Sequence, residues 1–163
     1  MKTVTLCFLI DKPKKKVLLG LKKVRFGAGK WNGFGGHVEN GENIKDAAIR
    51  ELREESSMIV DSEEAEKVGE LTFYFPHKPE WNQIVHVFSA NAWTGEPKES
   101  DEMSPKWFGF KEIPFDKMWA DDKHWLPKIL AGKKVKASFV FNPDSESIAD
   151  MKLDENGTDR DNS

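Results

Sequence analysis

Three glutamates, at positions 51, 54 and 55, stand close together in a segment that is predicted to be helical. Residues 44–56 contain no Pro or Gly and are rich in good helix formers, and Asn43 can cap the first turn. At about 100° per residue, Glu51 and Glu55 fall within the arc of the apolar side chains of Ala47, Ala48 and Leu52, and Glu54 falls just beyond its edge. They therefore extend the inward face of the helix, whereas a solvated helix would carry them on its outer face.

Carboxylates crowded on an inward face repel one another. Glu51 and Glu55 form a like-charge pair one turn apart, and two such groups about 6 Å apart at an effective dielectric near 20 repel by roughly 3 kcal/mol. A divalent cation would compensate for this, and an all-oxygen site suits Mg²⁺ or Mn²⁺ better than Zn²⁺. The alternative is a charged helix whose acids are neutralised by Arg50 and Arg53.

The spacing around this helix is more specific than its composition. Gly36 is followed after five residues by Glu42 and after seven more by the run Arg-Glu-Leu-Arg-Glu-Glu-Ser-Ser-Met at positions 50–58. This pattern resembles the Nudix box and matches it at eight of nine specified positions. The departure is Ser57, where the family usually has Gly for a left-handed helix end, so we expect strain or a different closure there.

The resemblance implies both a fold and a reaction. Nudix proteins hydrolyse a diphosphate linked to another group, and their fold is an α/β/α sandwich around a mixed sheet. Carried onto the matching positions, the metal ligands would be the carbonyl of Gly36 and the carboxylates of Glu51, Glu54 and Glu55. Arg50 would orient Glu51, Glu42 would support the loop and helix, and Glu55 is the favoured general base. Phosphoanhydride cleavage needs such charge neutralisation, because the attacking oxygen meets phosphate oxygens of its own sign.

Further segments are similar to the animal branch of the MutT class within this family, over roughly residues 3–142. They read LGLKKVRFGAGKWNGFGG at 19–36, ESDEM at 99–103 and IPFDKMW at 113–119, with an acidic pair at 121–122. Members of that branch convert oxidised purine nucleoside triphosphates, such as 8-oxo-dGTP and 2-hydroxy-dATP, to the monophosphate and pyrophosphate. This sanitises the nucleotide pool and so avoids DNA damage. The implied substrate-binding residues are Lys22, Phe26, Asn32, Phe73, Trp119, Asp121 and Asp122, and Glu102 is implied as a further metal ligand.

Each implied binding residue also has a purely structural interpretation. Trp119 and Phe73 would serve as core aromatics, and the acidic pair would serve as a helix cap. Asn32 is typical of a turn, and Lys22 of a solvated strand edge. Their joint occurrence favours purine recognition, because a purine edge needs donors and acceptors together. Crowded carboxyls such as Asp121 and Asp122 can share a proton, and shifting it would accommodate oxidised guanine or oxidised adenine.

Short β-prone runs and two helices must position these side chains. The sequence predicts strands at 3–10, 16–21, 68–75, 84–93, 107–110 and 135–141, and a second helix from about residue 121 to before Gly132. One central helix among mostly β elements favours an α+β sandwich with a mixed sheet. We expect a Nudix domain at residues 1–142 and an acidic, disordered tail at 143–163, which lacks apolar periodicity.

Composition bounds the class of protein. The chain has 163 residues, enough for one domain, and a net charge of −3, which disfavours a role based on bulk polyanion binding. That total conceals an uneven distribution, since residues 1–35 carry +8 and residues 144–163 carry −5. The single cysteine, Cys7, lies in an apolar run that is too short for a signal peptide or a membrane span. We expect a cytoplasmic monomer that binds neither a nucleic acid duplex nor a membrane.

Three functions compete at this point. The first is Mg²⁺-dependent hydrolysis of oxidised purine nucleoside triphosphates, with Mn²⁺ as a possible substitute. The second keeps Nudix chemistry but takes ADP-ribose, a dinucleoside polyphosphate or an RNA 5′ end as its substrate. The third is a non-catalytic nucleotide- or RNA-binding module, prompted by the basic N-terminal region and the abundant aromatics. The complete carboxylate set argues against the third function, because a binding module does not need a repulsive cluster.

Overall fold

The computed structural model describes residues 1–155 of the chain. They form eight strands and two α-helices joined by loops and short 3₁₀ turns. The strands are β1 (Lys2–Asp11), β2 (Lys16–Lys22), β3 (Trp31–Asn32), β4 (Ala65–Tyr74), β5 (Gln83–Ala90), β6 (Met103–Gly109), β7 (Val135–Phe141) and β8 (Ile148–Glu155). The helices are α1 (Ile44–Ser56) and α2 (Asp122–Leu130).

The strands form a mixed sheet in the order β3-β2-β1-β5-β4-β7-β8, and β6 pairs with β2. Two pairings, β1 with β5 and β4 with β7, are parallel, and the others are antiparallel. Side chains alternate along β1, so that Leu6, Phe8 and Ile10 face the core beneath α2 whereas Cys7 and Leu9 face the core beneath α1. The helices thus cover opposite faces of the sheet, which confirms the predicted α+β sandwich around a mixed sheet.

The C-terminal segment differs from its prediction. Residues 148–155 were expected in a disordered tail, but they form β8, which pairs with β7 from Val135 to Phe141. The prediction of disorder is therefore wrong for residues 148–155. Apolar side chains are too sparse in this segment to give a periodicity that the sequence reveals. Ile148, Met151 and Leu153 pack on the core from an edge strand, and the charged residues between them face away. The sheet therefore continues beyond the expected domain boundary at 142, and the rest of the expected tail, 156–163, lies outside the described residues.

Helix α1 begins and ends as the sequence indicates. Asn43 caps it, accepting hydrogen bonds at Oδ1 from the backbone N–H groups of Lys45 (2.9 Å) and Asp46 (3.4 Å). At the other end Ser57 adopts φ 67° and ψ 9°, and its N–H donates to the carbonyl of Arg53. This is the left-handed end that the family usually builds with glycine. The expected strain is therefore present, and it is localised at Ser57.

Replacing Ser57 with glycine should stabilise the protein. The exposed Ser57 side chain carries a Cβ penalty of about 1–2 kcal/mol in the left-handed region, which the greater freedom of glycine in the unfolded chain partly offsets. We expect Ser57→Gly to raise the free energy of unfolding by about 0.5–1 kcal/mol, as measured by urea denaturation. Ser62→Gly, outside the left-handed region, should lower it. Equal losses in both variants would contradict this account of the helix end.

Two further observations bear on the class of protein. None of the helices within residues 1–155 is long and apolar enough to cross a membrane. Cys7 is fully buried, and this burial raises the pKa of its thiol to about 12. The thiol therefore stays protonated and packs as a small apolar side chain, as its surroundings in the sequence predicted.

Candidate active site

A cavity of about 1120 Å³ opens at the end of the sheet where β1 begins. It is lined by parts of β1, β2, β4 and β5 together with the loops around 24–37, 100–103 and 119–122. Among the residues predicted for the site, those that line it are Lys22, Phe26, Asn32, Gly36, Glu51, Glu54, Glu55, Phe73, Glu102, Trp119, Asp121 and Asp122. The remaining one, Arg50, lies behind the carboxylates. The structure therefore brings residues from distant parts of the chain to one place.

The glycine-rich loop at 33–36 reaches the cavity by lying directly against β1. The N–H groups of Thr5 and Cys7 donate to the carbonyls of Gly36 (2.9 Å) and Phe34 (2.6 Å), respectively. A Cβ at Gly35 would fall 1.7 Å from the carbonyl oxygen of Thr5, so only glycine permits this approach. A Cβ at Gly36 would fall 2.6–2.8 Å from the carboxylate of Glu51. These glycines thus set the Gly36 backbone beside the acidic face of α1.

Glu55 is the most deeply buried of the glutamates, with 4% of its surface exposed. Its Oε1 accepts a hydrogen bond of 2.9 Å from the N–H of Gly35. Burial, reinforced by the charge of Glu51, raises the pKa of Glu55 to about 8, against the opposing effects of the Gly35 hydrogen bond and Lys22. Burial also raises the pKa of Glu51. Burial therefore disfavours the ionised form of both carboxyls, and the charge of Glu51 adds to this at Glu55.

Arg50 organises the other side of this cluster. Its guanidinium makes two hydrogen bonds to Glu42, 2.8 Å from Nε to Oε2 and 3.0 Å from Nη2 to Oε1. Nη1 also donates to Glu51 (3.0 Å) and Glu54 (3.2 Å), and Nη2 donates to the carbonyl of His37 (3.3 Å). The hydrogen bonding of Arg50 to Glu42 lowers the pKa of Glu42. Arg50 therefore links α1 to the loop before it and turns Glu51 and Glu54 toward itself.

Glu102 approaches from the opposite wall of the cavity, just before β6. It forms ion pairs with Arg25 and, at 3.6 Å, with Lys22. Burial opposes ionisation of Glu102, but the hydrogen bond from Arg25 and the neighbouring cations lower its pKa overall. Within residues 1–155, no three Asp, Glu, His or Cys side chains already converge in a metal-binding cluster. Glu51 and Glu54 are instead paired with Arg50, and Glu102 is paired with Lys22 and Arg25.

The donor set fits a hard divalent cation. It offers carboxylates from Glu51, Glu54, Glu55 and Glu102 and a backbone carbonyl from Gly36, which are all oxygen donors. Burial, and after it the charge of Glu51, raises the pKa of Glu55. The glycine backbone also leaves the space beside Glu51 free of a side chain. A cation bound here would relieve the repulsion between Glu51 and Glu55.

At the inner end of the cavity lie two adjacent buried carboxyls, Asp121 and Asp122, which are 2% and 3% exposed. Asp121 makes no side-chain cap hydrogen bond to α2, which removes the helix-cap interpretation; its Oδ2 accepts from Nε1 of Trp125 at 2.8 Å. Asp122 Oδ2 is buried and has no hydrogen-bond partner among the described residues. Burial raises the pKa of both groups, and the charge of Asp121 raises that of Asp122 further. The pair can therefore hold one shared proton.

Aromatic side chains form the cavity walls between the glutamates of α1 and the pair Asp121 and Asp122. Trp119 contacts Phe26, with ring centroids 5.0 Å apart, and Lys30 Nζ lies 5.0 Å from the centroid of the Trp119 ring. Phe73 lines the cavity and also stacks on Phe139 at 5.6 Å, so it serves the core and the wall together. Asn32 ends β3 at the same wall, and its Oδ1 accepts from the N–H of Gly33 at 2.9 Å. This space suits a flat ring.

Sequence reasoning missed several contributors to this site. Lys30 faces Trp119, and its charge lowers the pKa of Asp122, but nothing in the sequence distinguishes it from other lysines. Trp125 was detectable in principle, because it lies one helical turn after Asp121. Arg25 pairs with Glu102 across 77 positions of sequence, a contact that only the folded sheet creates.

Comparisons with known proteins agree with this geometry. The profile of the NUDIX domain matches residues 1–129. Over 140 residues the chain is 50% identical to a zebrafish (Danio rerio) protein named oxidized purine nucleoside triphosphate hydrolase, covering 86% of this chain and 87% of that one. The mouse (Mus musculus) protein of the same name is 48% identical over 141 residues, covering 86% and 88%. A crystal structure of a MutT protein from Bacillus halodurans superposes with a TM-score of 0.81 at 28% identity, covering 94% and 98%.

Proposed function

The chain belongs to the Nudix family of hydrolases, and on that premise we propose that it hydrolyses oxidised purine nucleoside triphosphates to the monophosphate and pyrophosphate. The observation that carries this proposal is the arrangement of one cavity with acidic residues at both ends. The end lined by Glu51, Glu54 and Glu55, where Glu54 is exposed, is called the outer end, and the end lined by the buried Asp121 and Asp122 is called the inner end. Such a cavity accommodates a nucleotide with its phosphates outward and its base inward.

The inner pair gives the proposed selectivity for oxidised purines. Protonated Asp122 offers a donor, whereas ionised Asp122 offers only acceptors, and Asp121 is constrained by the hydrogen bond from Trp125. The buried Asp122 Oδ2 is unpaired within the described chain and is therefore available to a base edge. Moving the shared proton between the carboxyls changes the donor and acceptor pattern that the base meets. Oxidised guanine and oxidised adenine would each find a complementary pattern.

At the outer end, the proposed reaction divides the work among residues of α1 and its surroundings. Nudix hydrolases generally need divalent cations, and we propose Mg²⁺, which would neutralise phosphate charge and acidify a bound water. Glu51, Glu54, Glu55, Glu102 and the Gly36 carbonyl would hold it. Arg50 orients Glu51 and Glu54 through the hydrogen bonds described above. Glu55, held in place by the hydrogen bond from Gly35, would accept the proton of the attacking water.

A nucleotide panel with product identification tests the proposed function. We expect 8-oxo-dGTP and 2-hydroxy-dATP to be hydrolysed at least about tenfold faster than dGTP and dATP, with pyrophosphate released and only when Mg²⁺ is present. Faster turnover of ADP-ribose, a dinucleoside polyphosphate or a 5′-triphosphate RNA would identify a Nudix hydrolase with a different substrate. Binding without turnover would instead identify a nucleotide-binding module.

Replacing Trp119 with alanine tests the proposed base stacking. Loss of stacking costs about 1–3 kcal/mol per base, so KM for the oxidised nucleotides should rise by roughly tenfold or more, with a smaller effect on kcat. Trp93→Leu is the matched control, because Trp93 packs on Trp107 (centroids 5.3 Å apart) and does not line the cavity. An unchanged KM in the Trp119 variant would contradict the stacking role.

We further propose a cytoplasmic monomer without a nucleic acid or membrane partner. A buried thiol at Cys7 suits a reducing compartment. The cavity, lined by the buried carboxyls of Asp121 and Asp122 together with the glutamates of α1, suits a single nucleotide better than a duplex. Light scattering of the purified protein tests the oligomeric state, and a mass of about twice the 18.6 kDa chain would contradict it.

A further inference from the structure

Arg25 has an unusual backbone conformation beside the candidate site. Its φ is 64°, in the left-handed region that disfavours any residue with a Cβ. The turn that imposes this conformation is closed by two backbone hydrogen bonds, from Ala28 to Arg25 (3.1 Å) and from Lys30 to Gly27 (3.0 Å). The Arg25 side chain pairs with Glu102, which the register of β2 with β6 places next to it, and both residues line the cavity.

Glu102 is shared between two cations of different character. Lys22 is largely buried, with 23% of its side chain exposed, and lies 3.6 Å from Glu102 Oε2. Arg25 pairs with Oε1, although 71% of its own side chain is exposed. An exposed ion pair of this kind is weak and exchanges its partners readily. Lys22 is therefore a fixed neighbour of Glu102, and Arg25 is an exchangeable one.

Arg25 and Glu102 lie where an exchange of partners can affect ligand binding. Glu102 lines the same cavity as Glu51 and Glu55. While Glu102 is paired with Arg25, it does not form a metal-binding cluster with the carboxylates of α1 within residues 1–155. An arginine released at the cavity mouth would meet the outer end of a bound nucleotide, where the phosphates lie in the proposed orientation. Guanidinium groups bind phosphate oxygens through paired hydrogen bonds.

We propose that Arg25 is a positioning residue that exchanges partners: it neutralises Glu102 in the metal-free protein, and it turns to the triphosphate once Glu102 takes part in binding a divalent cation. This rests on the proposed function for the identity of the phosphate ligand, but its first step concerns the protein and a metal ion alone. Metal binding and triphosphate binding are then positively coupled, because the first frees the group that the second uses.

The first step is tested with Mn²⁺ alone, counting free ion by electron paramagnetic resonance. Arg25→Gln removes the competitor for Glu102, so the free protein should bind Mn²⁺ about threefold to fivefold more tightly. In a Glu102→Gln background the same substitution should change Mn²⁺ affinity by less than about 1.5-fold. An unchanged or weaker affinity in the single variant overturns the proposal. An equal gain in both backgrounds also overturns it, since that would be a general charge effect.

Three further variants complete this test. Arg53→Gln removes the same charge from an exposed arginine of α1 that does not line the cavity, so it should leave Mn²⁺ affinity within about 1.5-fold. Arg25→Lys, which keeps a cation, should fall between wild type and Arg25→Gln. Arg25→Gly suits the left-handed backbone and serves if the glutamine variant folds poorly. A tighter affinity in the Arg53 variant equal to that of Arg25→Gln would overturn the proposal.

The second step is tested by titration calorimetry with inorganic tripolyphosphate at saturating Mg²⁺. Arg25→Gln should weaken tripolyphosphate binding by about fivefold or more, whereas Arg53→Gln should not change it. Undiminished tripolyphosphate affinity in Arg25→Gln would overturn the exchange. Because neither measurement uses a nucleobase, failure here is distinct from failure of the nucleotide panel. A different nucleotide substrate would leave both expected results in place.

Discussion

Glu55→Gln should lower kcat by about three orders of magnitude while leaving the protein folded. Glutamine keeps the size of the side chain and an oxygen that can accept the hydrogen bond from Gly35, but it removes the charge and the proton-accepting capacity. The substitution also removes one member of the repelling pair with Glu51, so the metal-free variant should be more stable than wild type near pH 8. Steady-state rates at saturating Mg²⁺ and urea denaturation in EDTA measure both effects.

Two further substitutions, one in the site and one outside it, test this prediction. Glu54→Gln should also abolish activity with the fold intact, but without the gain in stability, because Glu54 is exposed and bonded to Arg50. Glu63→Gln, an exposed acid that does not line the cavity, should retain the wild-type rate. A wild-type rate in either the Glu54 or the Glu55 variant would show that the carboxylates of α1 are not the catalytic centre.

Asp121→Asn and Asp122→Asn should change the preference between 8-oxo-dGTP and 2-hydroxy-dATP in opposite directions. An asparagine amide imitates a protonated carboxyl, which both donates and accepts, but it cannot imitate a carboxylate. Each variant therefore retains the substrate that needs that carboxyl protonated and loses the other by about 10- to 100-fold in kcat/KM, the cost of an unpaired polar group. If neither variant changes either rate, the shared-proton hypothesis is wrong.

The Asp122 variant also separates recognition from stability. Burial and the charge of Asp121 raise the pKa of Asp122, so the folded state favours its neutral form. The free energy of unfolding therefore begins to fall as the pH rises above the pKa of Asp in the unfolded chain, about 3.9. It continues to fall until the pH reaches the pKa of Asp122 in the folded protein. Asp122→Asn cannot ionise, so it should be more stable than wild type by about 1–3 kcal/mol at pH 7.5 and by much less at pH 4. Urea denaturation at the two pH values measures this, and a pH-independent difference would contradict it.

Much of the fold was predictable because local signals agreed with tertiary ones. Asn43 and the uninterrupted run after it predicted α1, and the alternating pattern from Val135 to Phe141 predicted β7 with the bounds that the structure shows. The prediction stopped at β8, whose core contacts come from three apolar residues among charged ones. Strand β3 was missed as well, since two residues such as Trp31 and Asn32 carry no periodicity. In both strands the pairing partner, and not local preference, decides the conformation.

The candidate site was predictable to a different extent at its two ends. The spacing of the acids on α1 placed Glu55 on the buried face, because helical geometry is fixed by the chain itself. The resemblance supplied the residues of the inner end, but not the hydrogen bond that ties Asp121 to Trp125. It supplied nothing about Arg25 or Lys30, whose partners Glu102 and Glu146 are distant in sequence. Contacts of this kind are set by loop conformation and sheet register.

The parallel pairing of β1 with β5 has a consequence for the order of folding. This pairing sets Lys2 opposite Gln83. Because the strands are parallel, a hairpin cannot form the pairing, and the long stretch of chain between them must first bring β5 back to β1. Such non-local pairing raises the contact order and slows folding. The glycine loop at 33–36 lies against β1 and can be fixed only once that strand is in place. We therefore expect the cavity to be among the last parts of the protein to assemble, so that a newly made chain acquires its helices well before it acquires its site.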